Sequence, residues 1–365
     1  MKNNSTSCHI QTKSISDLTS EAFAEFLENG FLIQRPFSQQ IWLGINAEKS
    51  KDGPLFISTF YKTKFLRLKP QYLVQTTIEE FLEYCSQSQV LGDERLSINE
   101  VENSDDIFSK DLAKIKTWFI DDQNLKKLVA VTTSRYKLKN KAHPLSQIKA
   151  MINLPGSIYG QWKDGKGVIG VSPEPLFVKE KNGWRTRSLA GTISTDESQY
   201  KQKLLGDPKE KNEHDLVISD IVHKMKPFAK TIKTGSTTVE AYGKIAHLQT
   251  EIFFEAEYLS SEKIVQLLSP TAALGGYPQS LSQRYLQDLG YFNEAGENRY
   301  FGGVMGLDFE DESFGLVGIR NFYWDHHQQQ GIIHSGCGVV RQSDPQLELL
   351  EVKKKRNVIT RLFDQ

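Results

Sequence analysis

The chain has 365 residues, 38% of them apolar, enough for one large domain or two ordinary ones with a sizeable core. Its 45 lysines and arginines are balanced by 45 aspartates and glutamates, so no overall field draws in nucleic acid or an anionic membrane, and neither is expected as a partner. The polar opening MKNNSTSCHIQTKSISD lacks the apolar stretch of a secretory signal, and no run approaches the roughly 18 apolar residues of a membrane span, so the cytoplasm is the expected compartment.

Along the first 120 or so residues the pattern predicts a helix around Leu18–Leu27, a strand in LFISTFY and a helix from Thr77 to Tyr84. The charged stretch Asp93–Asp106 reads as a surface loop. Cys8, Cys85 and Cys337 are odd in number, far apart and without CxxC spacing, which argues against a disulfide framework or a thiolate metal site and for buried apolar roles in most of them.

From Leu125 onward, strand signals come in adjacent pairs with short turns, the pattern of antiparallel meanders and not of repeated βαβ units, so an α+β fold is expected. GVIGVSPEPLFVKEKNGWRTRSLAG predicts a hairpin turning at Asn182-Gly183, and YFGGVMGLDFEDESFGLVGIRNFYW two strands reversing at Asp308–Ser313. Two helices are expected between and after these strands. One runs from about Lys209 to Phe228, with Glu213, Val217, Ile221 and Met225 recurring every fourth residue; the other opens at Asp344-Pro345, an N-cap followed by proline.

Each helix carries two acids three residues apart near its N-terminus, Glu210 with Glu213 and Glu348 with Glu351. Acids in a first turn usually do no more than complement the helix dipole. Four carboxylates converging on one pocket, however, repel one another unless a hard cation such as Mg²⁺ sits among them. Glu213 lies in line with the apolar stripe and so points inward, where a charge needs a partner. Lys355, four residues after Glu351, continues that face, either toward a substrate anion or as an ordinary ion pair.

Seven segments then follow in fixed order: SPEPL (172–176), SLAGTIS (188–194), KNEHDLV (211–217), SPTAALGGYP (269–278), RYFGGVMG (299–306), GIR (318–320) and SGCGVV (335–340). Over about residues 125–365 the chain thereby resembles the chorismate-binding enzymes, and within them the isochorismate synthases. The resemblance implies large antiparallel sheets stacked around a central cleft with helices outside. Residues 121–365 would form the chorismate-binding catalytic region, and 1–120 a divergent N-terminal part of the same fold.

By the same resemblance, Glu213 and Glu351 match the family's magnesium ligands, and Glu210 and Glu348 the acids around the hydrated ion. Gly191 and Thr192 would close over the ring carboxylate. Arg320, Gly336 and Gly338 would hold the enolpyruvyl carboxylate, for which a guanidinium fork and unhindered backbone N–H groups are suited. Lys355 and His247 would face the substrate, and Glu174 would protonate the departing C4 hydroxyl.

The reaction implied is conversion of chorismate to isochorismate. VISDIVHKMKPF lacks the Arg-Asn-Asp triplet of the anthranilate-type enzymes, and Ala190 stands where aminodeoxychorismate synthases carry a nucleophilic lysine, so no amidotransferase subunit is expected. An aminating synthase and a catalytically silent chorismate-binding protein are the alternatives. Isochorismate synthases place their base lysine five residues before a strand arginine, and counting back from Arg135 lands on Ala130. In that register Ala130 faces the substrate. Lys126 shares its side-chain parity and Lys127 points to the other face, and a bulge or insertion would restore register for either as the catalytic base.

Overall fold

The structure, a computed structural model, describes residues 12–62, 64–88, 95–141, 143–257, 259–295, 300–309 and 312–363. Cys8 lies outside them. Cys85 and Cys337 are buried free thiols.

Two curved, largely antiparallel sheets share the strand Phe65–Thr77, which pairs with Gln40–Lys49 on one side and Leu55–Ser58 on the other. One sheet continues from Gln40–Lys49 through Asn29–Gln34, Ser157–Lys163, Lys166–Ser172, Asn321–Asp325 and Gln330–Val340 to Lys127–Leu138. The other runs from Leu55–Ser58 through Val304–Asp308, Ser313–Val317, Pro175–Glu180 and Gly183–Ser194 to Ile245–Glu255. Strands from the first 80 residues therefore sit inside both sheets, hydrogen-bonded to strands from the last 210. This is the α+β architecture of stacked antiparallel sheets expected above. No helix among the described residues is long and apolar enough to cross a membrane.

The expected helices form at Ser20–Glu28, Ile78–Gln87, Pro208–Met225 and Pro345–Thr360. Asp207 and Asp344 cap the last two, each accepting from the first free backbone N–H groups of its helix. Glu213, Val217, Ile221 and Met225 all turn inward, so the four-residue spacing is a buried stripe. Val217, Ile221 and Met225 pack with Phe56, Phe177 and Val339 in the core beneath the cleft.

Two expectations about local structure are corrected. Of the charged stretch Asp93–Asp106, positions 93 and 94 lie outside the described residues, and the rest is not simply a loop: Ile98–Asn103 is an edge strand on Lys127–Leu138, and the helix Asp105–Asp121 begins at its end. Pairing with a long neighbour outweighs weak intrinsic strand preference, and Glu100 and Glu102 stay exposed at the edge. The hairpin predicted at Asn182-Gly183 turns one residue earlier, on Lys181-Asn182, because Gly183 already pairs with Glu180.

Candidate active site

The site forms where the two sheets and the two acidic helices meet, and a single pocket is lined by Glu174, Gly191, Thr192, Glu213, His247, Arg320, Gly336, Gly338, Glu351 and Lys355. Glu210 and Glu348 line an adjoining open groove that shares Thr192 and Glu351 with the pocket. Residues scattered over 180 positions are thus brought together.

Glu174 sits in the short link between Lys166–Ser172 and Pro175–Glu180 and is 3% exposed. Its carboxylate accepts a hydrogen bond from the Thr271 hydroxyl at 3.2 Å. Burial pushes its pKa up to about 7, against the pull of that hydroxyl and of Lys127, Lys355 and Arg320. A carboxyl so placed keeps its proton near neutrality and can donate it. Thr271 was not singled out from the sequence, although it lies within SPTAALGGYP.

Gly191 is the bulged residue where Gly183–Ser194 slips against Ile245–Glu255, and its φ of +75° suits glycine. The bulge turns the Thr192 N–H to Glu210 (2.7 Å) and the Thr192 hydroxyl to Glu351 (3.2 Å). His247 Nδ1 lies 3.1 Å from the Gly191 carbonyl, which can only accept, so that nitrogen carries the proton. Nε2 is then free to accept from the Arg320 guanidinium at 3.0 Å. Burial, reinforced by Arg320 and Lys355, holds the His247 pKa well below the ordinary value, in keeping with a neutral ring. Arg320 itself has a positive φ of 52° and stacks over Tyr242 at 5.1 Å. Tyr242 is a second residue the sequence did not flag.

The four helix acids converge, and ammonium groups stand among them. Lys127 Nζ lies 3.0 Å from Glu213, Lys355 Nζ 2.7 Å from Glu351, and Lys209 Nζ 2.8 Å from Glu210 and 3.0 Å from Glu348. Burial pushes Glu210 up to about 7, helped by repulsion from Glu213, and burial with Glu351 likewise raises Glu348. Burial works the same way on Glu213, but Lys127 and Lys209 outweigh it and lower its pKa. Among the described residues, no three acidic, histidine or cysteine side chains close around one point as a finished metal cage. The all-oxygen donor set nonetheless suits a hard cation.

The base register read from Arg135 is corrected. Ala130 pairs with Cys337, is fully buried and faces the core; Val129 lines the pocket, and Lys127, two residues earlier on the same face, reaches Glu213. Lys126 points outward and donates to the Gln123 carbonyl. Strand parity alone puts Lys127 on the face of Val129, where its side chain is buried behind the pocket against Glu213. Gly338 makes room for it: a Cβ there would stand 2.9 Å from Lys127 Nζ and against the Glu213 carboxylate.

With this geometry in view, the comparisons with known proteins are consistent. The family described as chorismate binding enzyme matches residues 60–363. The isochorismate synthase MenF of Haemophilus influenzae is 27% identical over 201 residues, 53% of this chain and 45% of the relative. That of Pasteurella multocida is 30% identical over 210 residues, 55% of this chain and 47% of the relative. The chain thus spans about half the length of the curated relatives it matches. The solved structure of MenF, the menaquinone-specific isochorismate synthase from Escherichia coli, superposes with a TM-score of 0.81 over 96% of this chain and 92% of that one, at 17% identity, which speaks for the fold. The stacked sheets, the converging helix acids and a family match covering most of the sequence make this chain a member of the chorismate-binding enzymes.

Proposed function

We propose that the chain converts chorismate to isochorismate, adding water at ring carbon C2 as the hydroxyl at C4 leaves. One observation carries the reading: Glu174, a pocket-lining acid that keeps its proton to about pH 7, has the buried Lys127 among the charged groups that act on it. In this mechanism Lys127, acting as the neutral amine, takes a proton from the attacking water and Glu174 gives one to the departing hydroxyl, so a water is consumed and a water released.

Arg320, held by His247 and Tyr242, offers its fork to the enolpyruvyl carboxylate, and Gly336 and Gly338 line the same pocket. Gly191 and Thr192 border the ring carboxylate, and Lys355 presents an ammonium to the same pocket. A magnesium ion held by Glu213 and Glu351, with Glu210 and Glu348 acting on its waters, would supply positive charge for the ring carboxylate. The nucleophile is water, so no ammonia-delivering subunit enters the scheme.

The test is incubation of purified protein with chorismate and Mg²⁺, with and without ammonia, followed by product identification. Isochorismate in both arms is the expected result. Anthranilate or aminodeoxychorismate in the ammonia arm, or unchanged chorismate in both, overturns the proposal.

A further inference from the structure

Lys209 occupies the second position of the helix Pro208–Met225, and its side chain folds back among the acids. Its ammonium lies 2.8 Å from Glu210, 3.0 Å from Glu348 and 3.7 Å from Glu213. It therefore joins both acidic helices through one charge. Without a cation there, three carboxylates, two of them buried, would face one another with no opposite charge between them.

The three ammonium groups at the site differ in their freedom. Lys127 is fully buried, and Lys355 is also held by the Gly336 carbonyl at 2.9 Å. Lys209 is no more exposed than Lys355, 21% against 20%, but it lines the open groove beside the pocket, so its side chain has solvent to move into. An ammonium and a divalent ion cannot both sit against the same oxygens, since like charges at such separations repel strongly even when screened.

We propose that Lys209 is a built-in counter-cation: its ammonium holds Glu210, Glu213 and Glu348 together in the metal-free chain, and a divalent cation binds by competing with it for those carboxylates. The inference rests on the magnesium reading above. The lysine is tethered to the helix that carries two of the acids, so it is present at high local concentration whatever the solution holds. A hard ion of higher charge can still displace it. Lys209 thereby keeps the acids assembled before metal arrives, at the expense of metal affinity.

The experiment uses the full chain stripped with EDTA, with Mg²⁺ binding followed by titration calorimetry and thermal unfolding followed without metal. Lys209→Met should bind Mg²⁺ about tenfold more tightly than the parent, melt at lower temperature in EDTA, and gain more from added Mg²⁺. Lys209→Arg keeps the charge and should stay near the parent in both measurements. Lys203→Met, which removes a groove lysine paired with Glu197, controls for the general loss of a positive charge and should also match the parent. If Lys209→Met folds only when Mg²⁺ is present, that supports the proposal, and Lys209→Gln then supplies the affinity. A parent that binds Mg²⁺ while Lys209→Met and Lys209→Gln bind it no more tightly overturns the counter-cation role alone. A parent that binds no Mg²⁺ overturns the metal reading and the competition with it.

Discussion

Lys127 Nζ and Glu213 Oε1 form an ion pair at 3.0 Å between a strand of one sheet and an acidic helix, with Gly338 directly above them. Loss of Glu213 takes away the carboxylate that the buried Lys127 side chain faces, whereas loss of Lys127 leaves Glu213 with Lys209 at 3.7 Å. The pair ties the residue proposed as base to an acid proposed as a metal ligand, so the two proposed roles are coupled.

Lys127→Met should reduce isochorismate formation by roughly 10²–10⁴, the range for loss of general-base assistance. Lys126→Ala, on the outer surface, should leave the rate unchanged. Steady-state rates with product identification check both, and a Lys127→Met protein that is folded and fully active removes this residue from the mechanism. Ala130→Lys should lower the melting temperature and give no gain in rate, because it puts an unpaired ammonium in the core beside Cys337.

The raised pKa of Glu174 makes two linked predictions. As a proton donor it works below about pH 7, so activity should fall as pH rises through that value, and Glu174→Gln should abolish conversion. Its folded pKa lies above the unfolded one, so burying it is neutral at pH below the unfolded value and increasingly destabilising up to about pH 7. The stability of Glu174→Gln relative to the parent should therefore improve between pH 5 and pH 8, by on the order of 3 kcal/mol at most. Denaturant melts at the two pH values measure it, and an unchanged difference would sink the assignment.

Thr271→Val removes the hydroxyl that stabilises the Glu174 carboxylate. The alkaline limb of the pH–rate profile should move upward, whereas Thr271→Ser should keep it in place. A uniform loss of rate with no shift would mean that Thr271 serves packing and not the acid.

Arg320→Lys should not preserve catalytic efficiency. Lysine has no planar fork, and it cannot donate to His247 Nε2, stack on Tyr242 and grip a carboxylate together. A rise in KM of tenfold or more is expected. Unchanged kcat/KM would show that no carboxylate is gripped there.

Gly338→Ala should displace the Lys127–Glu213 pair, since the added methyl meets both side chains in a space with no slack. Overpacking of this kind costs about 1–3 kcal/mol of stability, and the rate should fall with it. A variant with parent-like melting temperature and rate would show that the two side chains can move aside.

Much of this protein was legible in the sequence because it is written in local chemistry. The caps at Asp207 and Asp344, the four-residue stripe from Glu213 to Met225 and the paired acids at i and i+3 all depend on neighbours a few positions away. The ordered motifs carry the family resemblance and contain most of the residues that line the pocket. Choosing between Lys126, Lys127 and Ala130 was beyond such reasoning. Parity on a strand says which residues share a face, and only the pairing of Ala130 with Cys337 and of Val129 with Gly338 says which face is the cleft. Lys209 and Thr271 escaped notice for the same reason: a lysine in a helix's first turn and a threonine in a loop are ordinary locally. They gain their meaning from Glu348 and Glu174, placed beside them across 139 and 97 positions of chain by the packing of helices and sheets.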